Sequence, residues 1–359
     1  MALGGVYMTD TDGNIGVEKT NQIEKISGLL FDISAQPDLW TQGVGVDMAQ
    51  NLKDTVIEIN TLEEAIALGI KPYTGEQKNG VNQDFLNGIP YYHIDHYFKI
   101  NGGSGRLFIA FADCSTSWNI LTEMQQTSGG IINQFGIWTE QSLWRETDAS
   151  AEKYALQIVD DIQLVANSMA NKLHAPAVFV LNANSAKIKT ATGTATTVAL
   201  SKLPACNMVD CRYVAVALGQ ASDSDVRSMQ IGLESKTPVG NVGAALGLLS
   251  TIDVGENIGS VMNCNISNYF PDIELGFGDC TVEGNAIKNP MRYSAVSSVQ
   301  LDNLDELGYI FLTKYSGYEG GIFFNTDSTC SNGDSEESHT CHRDRGVLCY
   351  PSGSGPTSR

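Results

Sequence analysis

Short apolar runs alternate along the chain with segments that have a helical period. Runs of consecutive apolar residues are typical of strands covered on both faces of a sheet. Such runs occur at 26–33, 107–112, 131–138, 177–181 and 213–218. Segments between them carry apolar residues at steps of three and four, the period of an α-helix. The pattern predicts a β-α-β-α-β order, and therefore an α/β fold whose sheet is covered by helices.

Local signals predict where the helices begin and end. The longest helix is predicted over 151–173, because Pro176 forbids its continuation. Thr61 and Glu64 form a capping box that opens a short helix closed by Gly69. Pro90, as a first helical residue, opens another helix, with its apolar side chains on one face. Further predictions are helices near 117–125, over 223–233, after Thr237-Pro238 and over 299–308, strands over 309–314 and 321–325, and an exposed hairpin or loop over 186–194.

Composition and charge exclude several partners. The chain has 22 Lys and Arg against 41 Asp and Glu, which gives a net charge of −19. This charge repels a phosphate backbone, so a nucleic-acid partner is not expected. The longest apolar run, 107–112, is far shorter than a membrane span, and no secretory signal pattern opens the chain. Eight cysteines in 359 residues are too sparse for a disulfide scaffold and suit a reducing cytoplasm.

No residue pattern in the sequence gives strong evidence of a catalytic or metal-binding site. Cysteines and histidines gather near the end of the chain, but without the paired spacing of a structural zinc site. His93 and His96 share one helix face at a spacing that can chelate a metal; surface histidines on an amphipathic helix are the simpler interpretation. The cysteines and histidines near the end of the chain are Cys330, His339, Cys341, His342 and Cys349. We therefore assign no catalytic, cofactor-binding or metal residue, and we expect no cofactor.

Glycines and paired acids also have structural interpretations. Gly240, Gly243 and Gly247 follow a helix start instead of a strand end, so they fit close helix packing better than a dinucleotide site. The glycines at 102–105 precede a strand and predict a turn. The acidic pairs at 63–64 and 160–161 lie on polar helix sides, where solvation is expected.

Four short stretches resemble the tail sheath proteins of contractile phage tails and related injection machines. They are 26–32 (ISGLLFD), 129–134 (GGIINQ), 304–311 (LDELGYIF) and 320–330 (GGIFFNTDSTC). The branch that they resemble was long known only as a domain of unknown function. The resemblance implies a subunit that assembles with itself in six-membered stacked rings around an inner tail tube. It also implies a baseplate as trigger, a virion tail or contractile particle as location, and assembly in the bacterial cytoplasm.

The resemblance also implies a domain plan. A mixed sheet with covering helices would form a core from both chain ends, with an outer domain inserted between them. The implied parts are an extended arm at 1–22, the first part of the core at 23–105, an α/β domain at 106–250, the second part of the core at 251–330 and an aberrant tail at 331–359. After Cys330 the sequence departs from the family pattern, as a truncated or frameshifted copy would.

Two groups of residues carry the expected function within this resemblance. Terminal arms of sheath proteins add strands to a neighbour's sheet, and the corresponding apolar residues here are Leu3, Val6, Met8 and Ile15. The expected core motif consists of Gly308, Tyr309, Phe311, Gly321, Phe324, Asn325, Asp327 and Cys330. The β-α-β pattern alone also fits an α/β enzyme or a small-ligand-binding protein, and this alternative stays open.

Overall fold

The computed structural model describes residues 26–34, 52–71, 77–78, 81–82, 85–103, 105–148, 153–182, 187–189, 195–197, 203–208, 210–221, 240–252, 257–270, 275–276, 281–282, 285–286, 297–314, 321–326 and 329–331. The predicted arm at 1–22, the predicted helix at 223–233 and the tail beyond Ser331 lie outside these ranges.

The described strands and helices follow one another in a mixed α/β order. The strands are β1 (Ser27–Asp32), β2 (Ile57–Ile59), β3 (Gln77–Lys78), β4 (Val81–Asn82), β5 (Leu107–Ala112), β6 (Gln134–Trp138), β7 (Trp144–Asp148), β8 (Lys153–Ala155), β9 (Val178–Asn182), β10 (Lys187–Lys189), β11 (Ala195–Thr197), β12 (Val214–Ala217), β13 (Gln220–Ala221), β14 (Leu275–Gly276), β15 (Thr281–Val282), β16 (Asn285–Ala286), β17 (Leu312–Thr313) and β18 (Phe323–Phe324). The helices are α1 (Leu62–Ala67), α2 (Phe85–Ile100), α3 (Asn119–Thr127), α4 (Gln157–Ser168), α5 (Val242–Leu249) and α6 (Ser298–Glu306).

A six-stranded sheet organises the molecule, with the order β12-β9-β6-β1-β5-β2. Neighbouring strands run parallel, except that β2 is antiparallel to β5. The sheet is therefore mixed, as expected from the resemblance. All residues of β1, β5, β6, β9 and β12 are buried. This burial explains their nearly continuous apolar sequences, because helices cover both faces of a parallel sheet.

Alternate residues of the central strand face two different cores. Leu29 and Phe31 belong to a core that includes α2 and α5. Leu30 belongs to the opposite core, which includes residues of α3 and α4, together with Leu304 of α6. Because successive side chains of a strand point to opposite faces, the single run of apolar residues in β1 supports both layers.

Smaller strand pairs surround this sheet. A four-stranded sheet has the order β11-β10-β7-β8, and within it β10 and β11 form an antiparallel pair. This pair confirms a hairpin at the segment predicted as a hairpin or loop. The antiparallel pair of β17 and β18 confirms the two predicted C-terminal strands, and α6 confirms the helix before them.

Two helix boundaries were predicted wrongly. Residues 153–155 form β8, which pairs with β7, and α4 begins only at Gln157, followed by a π-helical turn over Met169–Leu173. Periodicity cannot detect a three-residue strand whose side chains continue the apolar period of the following helix. Pro90 lies inside α2, which begins at Phe85. Packing of α2 against α5 offsets the backbone hydrogen bond that proline removes.

The interpretation of His93 and His96 as surface residues was also wrong. His93, Asp95 and His96 are all buried, with at most 1 % of their surface exposed. Helix α2 packs against α5, and the ring of its His93 lies 6.1 Å from that of Phe31 in the sheet, whereas Lys99 of the same helix stays exposed. Gly243 makes this contact close, because a Cβ atom there would collide with the backbone of His93. The expectation that glycine serves helix packing in α5 is therefore confirmed. None of the described helices is long and apolar enough to cross a membrane.

Candidate functional site

Asn325 links the C-terminal strands to the end of α6. Its Oδ1 accepts a hydrogen bond from the backbone N–H of Phe311 at 2.7 Å. Its Nδ2 donates to Asp305 Oδ1 at 2.6 Å and to Tyr309 O at 3.0 Å. The Asn325 backbone N–H donates to Phe311 O at 3.0 Å. We call these four residues the Asn325 clasp, since one side chain fixes both the turn after α6 and the strand that follows.

Gly308 makes the turn inside this clasp possible. Its φ of +84° lies in the left-handed region, where a side chain is strained. A Cβ atom at Gly308 would also lie 3.0 Å from Asn207 Cβ. Asn207 in turn donates from Nδ2 to Glu306 O at 2.8 Å, which satisfies a carbonyl at the end of α6. The glycine therefore lets segment 203–208 approach the helix end closely.

Tyr309 and Cys330 fill the interior beneath the clasp. The Tyr309 hydroxyl donates to Pro204 O, and its ring packs edge-on against Trp144 with centroids 5.9 Å apart. Burial raises the pKa of Tyr309 well above its ordinary value. The hydrogen bond to Cys206, followed by burial, raises the pKa of the Cys330 thiol. Both side chains are therefore neutral structural groups instead of reactive ones.

The C-terminal segment covers one edge of the six-stranded sheet. Ile310 N–H donates to Val216 O at 3.0 Å, and Leu218 N–H donates to Ile310 O at 2.8 Å. Cys330 N–H donates to Val214 O at 2.7 Å. Residues 310 and 330 thus satisfy two outward carbonyls of β12 and the N–H of Leu218 just after it. We call this side of the sheet the covered edge.

The opposite edge of the sheet ends in a three-residue strand. β2 pairs with β5 on one side, and no strand among the described residues pairs with its other side. Glu58 on β2 is exposed and forms an ion pair with Arg106, in which Arg106 Nε donates to Glu58 Oε1 at 2.6 Å. Short length and charge are features that limit unwanted pairing at a sheet edge. We call this side the open edge.

Asp32 occupies the position where α/β enzymes commonly hold a ligand, at the carboxyl end of a central parallel strand. It is 1 % exposed. Oδ1 accepts from the backbone N–H groups of Ser34 and Cys114 at 2.9 and 3.0 Å. Oδ2 accepts from Thr139 Oγ1 at 2.6 Å, Gln141 Nε2 at 2.7 Å and Ser34 Oγ at 2.9 Å. Five donors within the chain therefore saturate this carboxylate.

The structure brings most of the predicted core motif to one region. Gly308, Tyr309, Phe311 and Asn325 meet at the clasp, and Cys330 lies at the covered edge. Gly321 and Phe324 are buried in and beside β18. Asp327 and the arm residues Leu3, Val6, Met8 and Ile15 lie outside the described residues.

Some residues of this region were missed from the sequence. Asp305 and Asn207 are polar residues near a helix end, a common arrangement that does not reveal its distant partner. Asp32 had a better signal, because it is a single acid at the end of the otherwise uncharged strand β1. Of the terminal cysteines and histidines, which were considered for a metal site and not assigned to one, only Cys330 is described. The described part of the chain holds no group of three or more His, Cys, Asp or Glu placed to bind a metal ion.

Comparison with known proteins finds similar solved structures and identifies a family. The fold is α/β with a mixed sheet, and the chain is similar to contractile tail sheath proteins. A family model described as DUF2586, N-terminal domain, matches residues 99–328. The chain belongs to this family. No curated protein matches it.

Two solved structures illustrate the similarity. The helical sheath of the anti-feeding prophage in its contracted state has 12 % identity and a TM-score of 0.43, and the match covers 93 % of this chain and 70 % of that one. The sheath tail protein from Desulfitobacterium hafniense has 8 % identity and a TM-score of 0.43, with coverage of 94 % and 79 %.

Proposed function

We propose that the chain is a structural subunit of a contractile tail sheath. It assembles with copies of itself as six-membered stacked rings around an inner tail tube, and a baseplate triggers its shortening. This shortening drives the tube through a target envelope. The subunit belongs to a virion tail or a related contractile particle and assembles in the bacterial cytoplasm.

One observation carries the proposal: the four stretches that resemble sheath proteins meet in one core, although they span 300 residues. Residues 26–32 contain the central strand β1, and Asn133 N–H of the second stretch donates to Ile26 O at 3.2 Å. The third and fourth stretches supply Ile310 and Cys330 to the covered edge. A core built from both ends of the chain is what the resemblance implies. We extend the proposal to the five segments given above, of which 23–105 and 106–250 both supply strands to the six-stranded sheet.

The saturated Asp32 site favours this role over that of an α/β enzyme. An enzyme of this fold class needs free polar groups at the carboxyl ends of its strands. Here both oxygens of Asp32 accept hydrogen bonds from the protein itself, and Asn182 at the end of β9 is occupied with the backbone of Thr139. A polar network of this kind holds strand ends together.

The open edge is the proposed acceptor for a neighbour's arm. Residues 1–22 of one subunit would add a strand beside β2 of the next, with Leu3, Val6, Met8 and Ile15 as the arm's apolar residues. In such β-augmentation the main-chain hydrogen bonds supply binding and the side chains supply register. The covered edge is closed to this interaction because residues 310 and 330 already occupy it.

Electron microscopy and sedimentation of the full chain test the proposal. We expect rings or long tubes, whereas an enzyme of this size would sediment as a small discrete species. The double variant Val6→Pro and Met8→Pro should abolish tubes, since proline removes the donor that an added strand needs. The matched control, Val6→Ala and Met8→Ala, keeps both donors and should assemble, although less tightly. Equal assembly of both variants would exclude the arm at these positions, and a discrete species from the unmodified chain would contradict the sheath function.

A further inference from the structure

A buried histidine joins α2 to segment 257–270. His96 is 1 % exposed, and its ring lies between Tyr92 and Phe270, with centroid distances of 3.9 and 4.1 Å. His96 Nδ1 lies 2.7 Å from Tyr92 O. Because a carbonyl can only accept, Nδ1 carries the proton and Nε2 is the bare nitrogen of the neutral ring. The ring planes are tilted by 48° and 36°, and we call this arrangement the Phe270 contact.

His96 Nε2 has no partner among the described residues. A proton added at Nε2 would create a cation whose new N–H has no acceptor there, which is costly in a buried site. The neighbouring Tyr92 and Phe270 rings would return only part of that cost through their π faces. The neutral ring is therefore the form that fits the closed structure.

Few charges near His96 could stabilise its protonated form. On α2 itself, Lys99 lies over the outer side of Phe270, with Nζ 5.7 Å from the ring centroid. Lys99 also pairs with Asp95, at 3.9 Å between Nζ and Oδ1. The other titratable neighbours on this helix are Tyr92, whose ring centroid lies 3.9 Å away, and His93, whose Nδ1 accepts from Gly243 N–H at 3.1 Å. Segment 257–270 and helix α5 carry no Asp, Glu, Lys, Arg or His.

Segment 257–270 passes the effect of this contact to the C-terminal strands. Phe270 N–H donates to Ile266 O at 3.1 Å, and Ile266 N–H donates to Ile322 O at 2.8 Å. Ile322 N–H donates to Asn265 Oδ1 at 3.1 Å. These bonds lie outside the six-stranded sheet, so the segment can separate from α2 without breaking a strand ladder of that sheet.

We propose that the Phe270 contact is an acid-labile latch: protonation of His96 releases segment 257–270 from α2 while the six-stranded sheet stays folded. This property goes beyond the proposed sheath function and does not depend on assembly. It gives the subunit a local response to pH that starts at one residue and extends toward β18.

The expected size follows from the two states of His96. Burial lowers the pKa of His96 from 6.5 to about 3 in the closed state. In the open state the solvated ring returns to its ordinary pKa near 6.5. A lowered pKa in the closed state means that closure is fully favoured above pH 6.5 and weakens as the pH falls from there toward 3. The open fraction should rise about 100-fold between pH 7.5 and 4.5.

Hydrogen exchange on the full chain at pH 7.5, 6.0 and 4.5 tests the latch. Protection factors, which are corrected for the intrinsic effect of pH, should fall about 100-fold for the amides of Ile266 and Phe270. The amides of β1 and β6 should keep their protection. Two variants remove the titration in different ways: His96→Asn retains a donor toward Tyr92 O, and His96→Phe retains the ring. Either variant that folds should show a response of less than threefold in segment 257–270.

The exposed residue His174 provides the matched control. Its φ of +53° is tolerated by asparagine, so His174→Asn should fold and keep the full response of the unmodified chain. A response that persists in both His96 variants would overturn the latch. Loss of protection confined to Val242–Leu249 would also overturn it, because that result would assign the effect to His93 and α5. Simultaneous loss throughout β1 and β6 would show global unfolding instead of a latch.

Discussion

The two edges of the six-stranded sheet are closed in different ways. At the covered edge, β12 is bonded to Ile310 and Cys330, two residues that are distant from it in sequence. The Asn325 clasp fixes the position of Ile310, because the Asn325 side chain bonds the backbone of its two neighbours, Tyr309 and Phe311. At the open edge, β2 contributes three residues and an exposed ion pair.

The two edges therefore differ in how much they stabilise the fold and in whether they can accept a partner strand. Groups at the covered edge are buried and bonded within the chain, so their loss should weaken the fold itself. The charged pair at the open edge, Glu58 and Arg106, is exposed, so its loss should cost the monomer little. An edge that contributes little to folding can exchange its partners at low cost, which is the property that an arm-accepting edge needs.

The largest expected effect comes from breaking the clasp. Asn325→Leu keeps the side-chain size but leaves the Phe311 N–H and the Asp305 carboxylate without this partner. Each lost bond to a partly buried group costs about 1–3 kcal/mol, so we expect a loss of about 3 kcal/mol in the free energy of unfolding. Urea denaturation measures this change. The control is Asn171→Leu, the same substitution at an exposed site, which should shift stability by less than about 0.5 kcal/mol. Equal losses for both variants would show that the clasp does not hold the covered edge.

Strand positions were largely predictable, because burial on both faces imposes a nearly continuous apolar run. All five runs that predicted strands contain strands of the central sheet. β2 was not predicted, since its three residues at an exposed edge have no such run. The strand β8 was hidden for a related reason: its partner β7 stabilises it, while its own residues continue the helical period of α4.

Side-chain environments were much less predictable. His93 and His96 have a spacing that suits a surface helix, but α5 buries them through the small residues Gly243 and Gly247. Asn325 was recognised within a motif, whereas its partner Asp305 lies 20 residues earlier in the chain and depends on how α6 ends. Long-range pairings of this kind follow from tertiary packing, which no local pattern records.

Gly308→Ala should have the next largest effect. The substitution adds a strained left-handed conformation and a contact 3.0 Å from Asn207 Cβ. Gly102→Ala is the matched control, because its φ is +86° but nothing lies within 4 Å of the added Cβ. Strain alone should cost about 1 kcal/mol at both sites. We expect an additional loss of about 1 kcal/mol at Gly308 from crowding, measured by thermal unfolding. Identical losses of stability in the two variants would mean that segment 203–208 moves aside at no cost and does not stabilise the covered edge.

The smallest effect is expected at the open edge, from Arg106→Gln. The hydrogen bond from Arg106 lowers the pKa of Glu58, so their interaction stabilises the fold above the ordinary pKa of 4.5 and is lost as the pH falls through the lowered value. Both side chains are more than a third exposed. The substitution should therefore lower the free energy of unfolding at pH 7 by less than about 1 kcal/mol, and by less still in 1 M salt. Urea denaturation at pH 7 and pH 3 measures the size of this loss and its pH dependence. Glu58→Gln is the second single variant of a double-mutant cycle. If Arg106→Gln cost as much as Asn325→Leu, or cost the same at both pH values, β2 would be an integral part of the folded core and a poor acceptor for another subunit's arm.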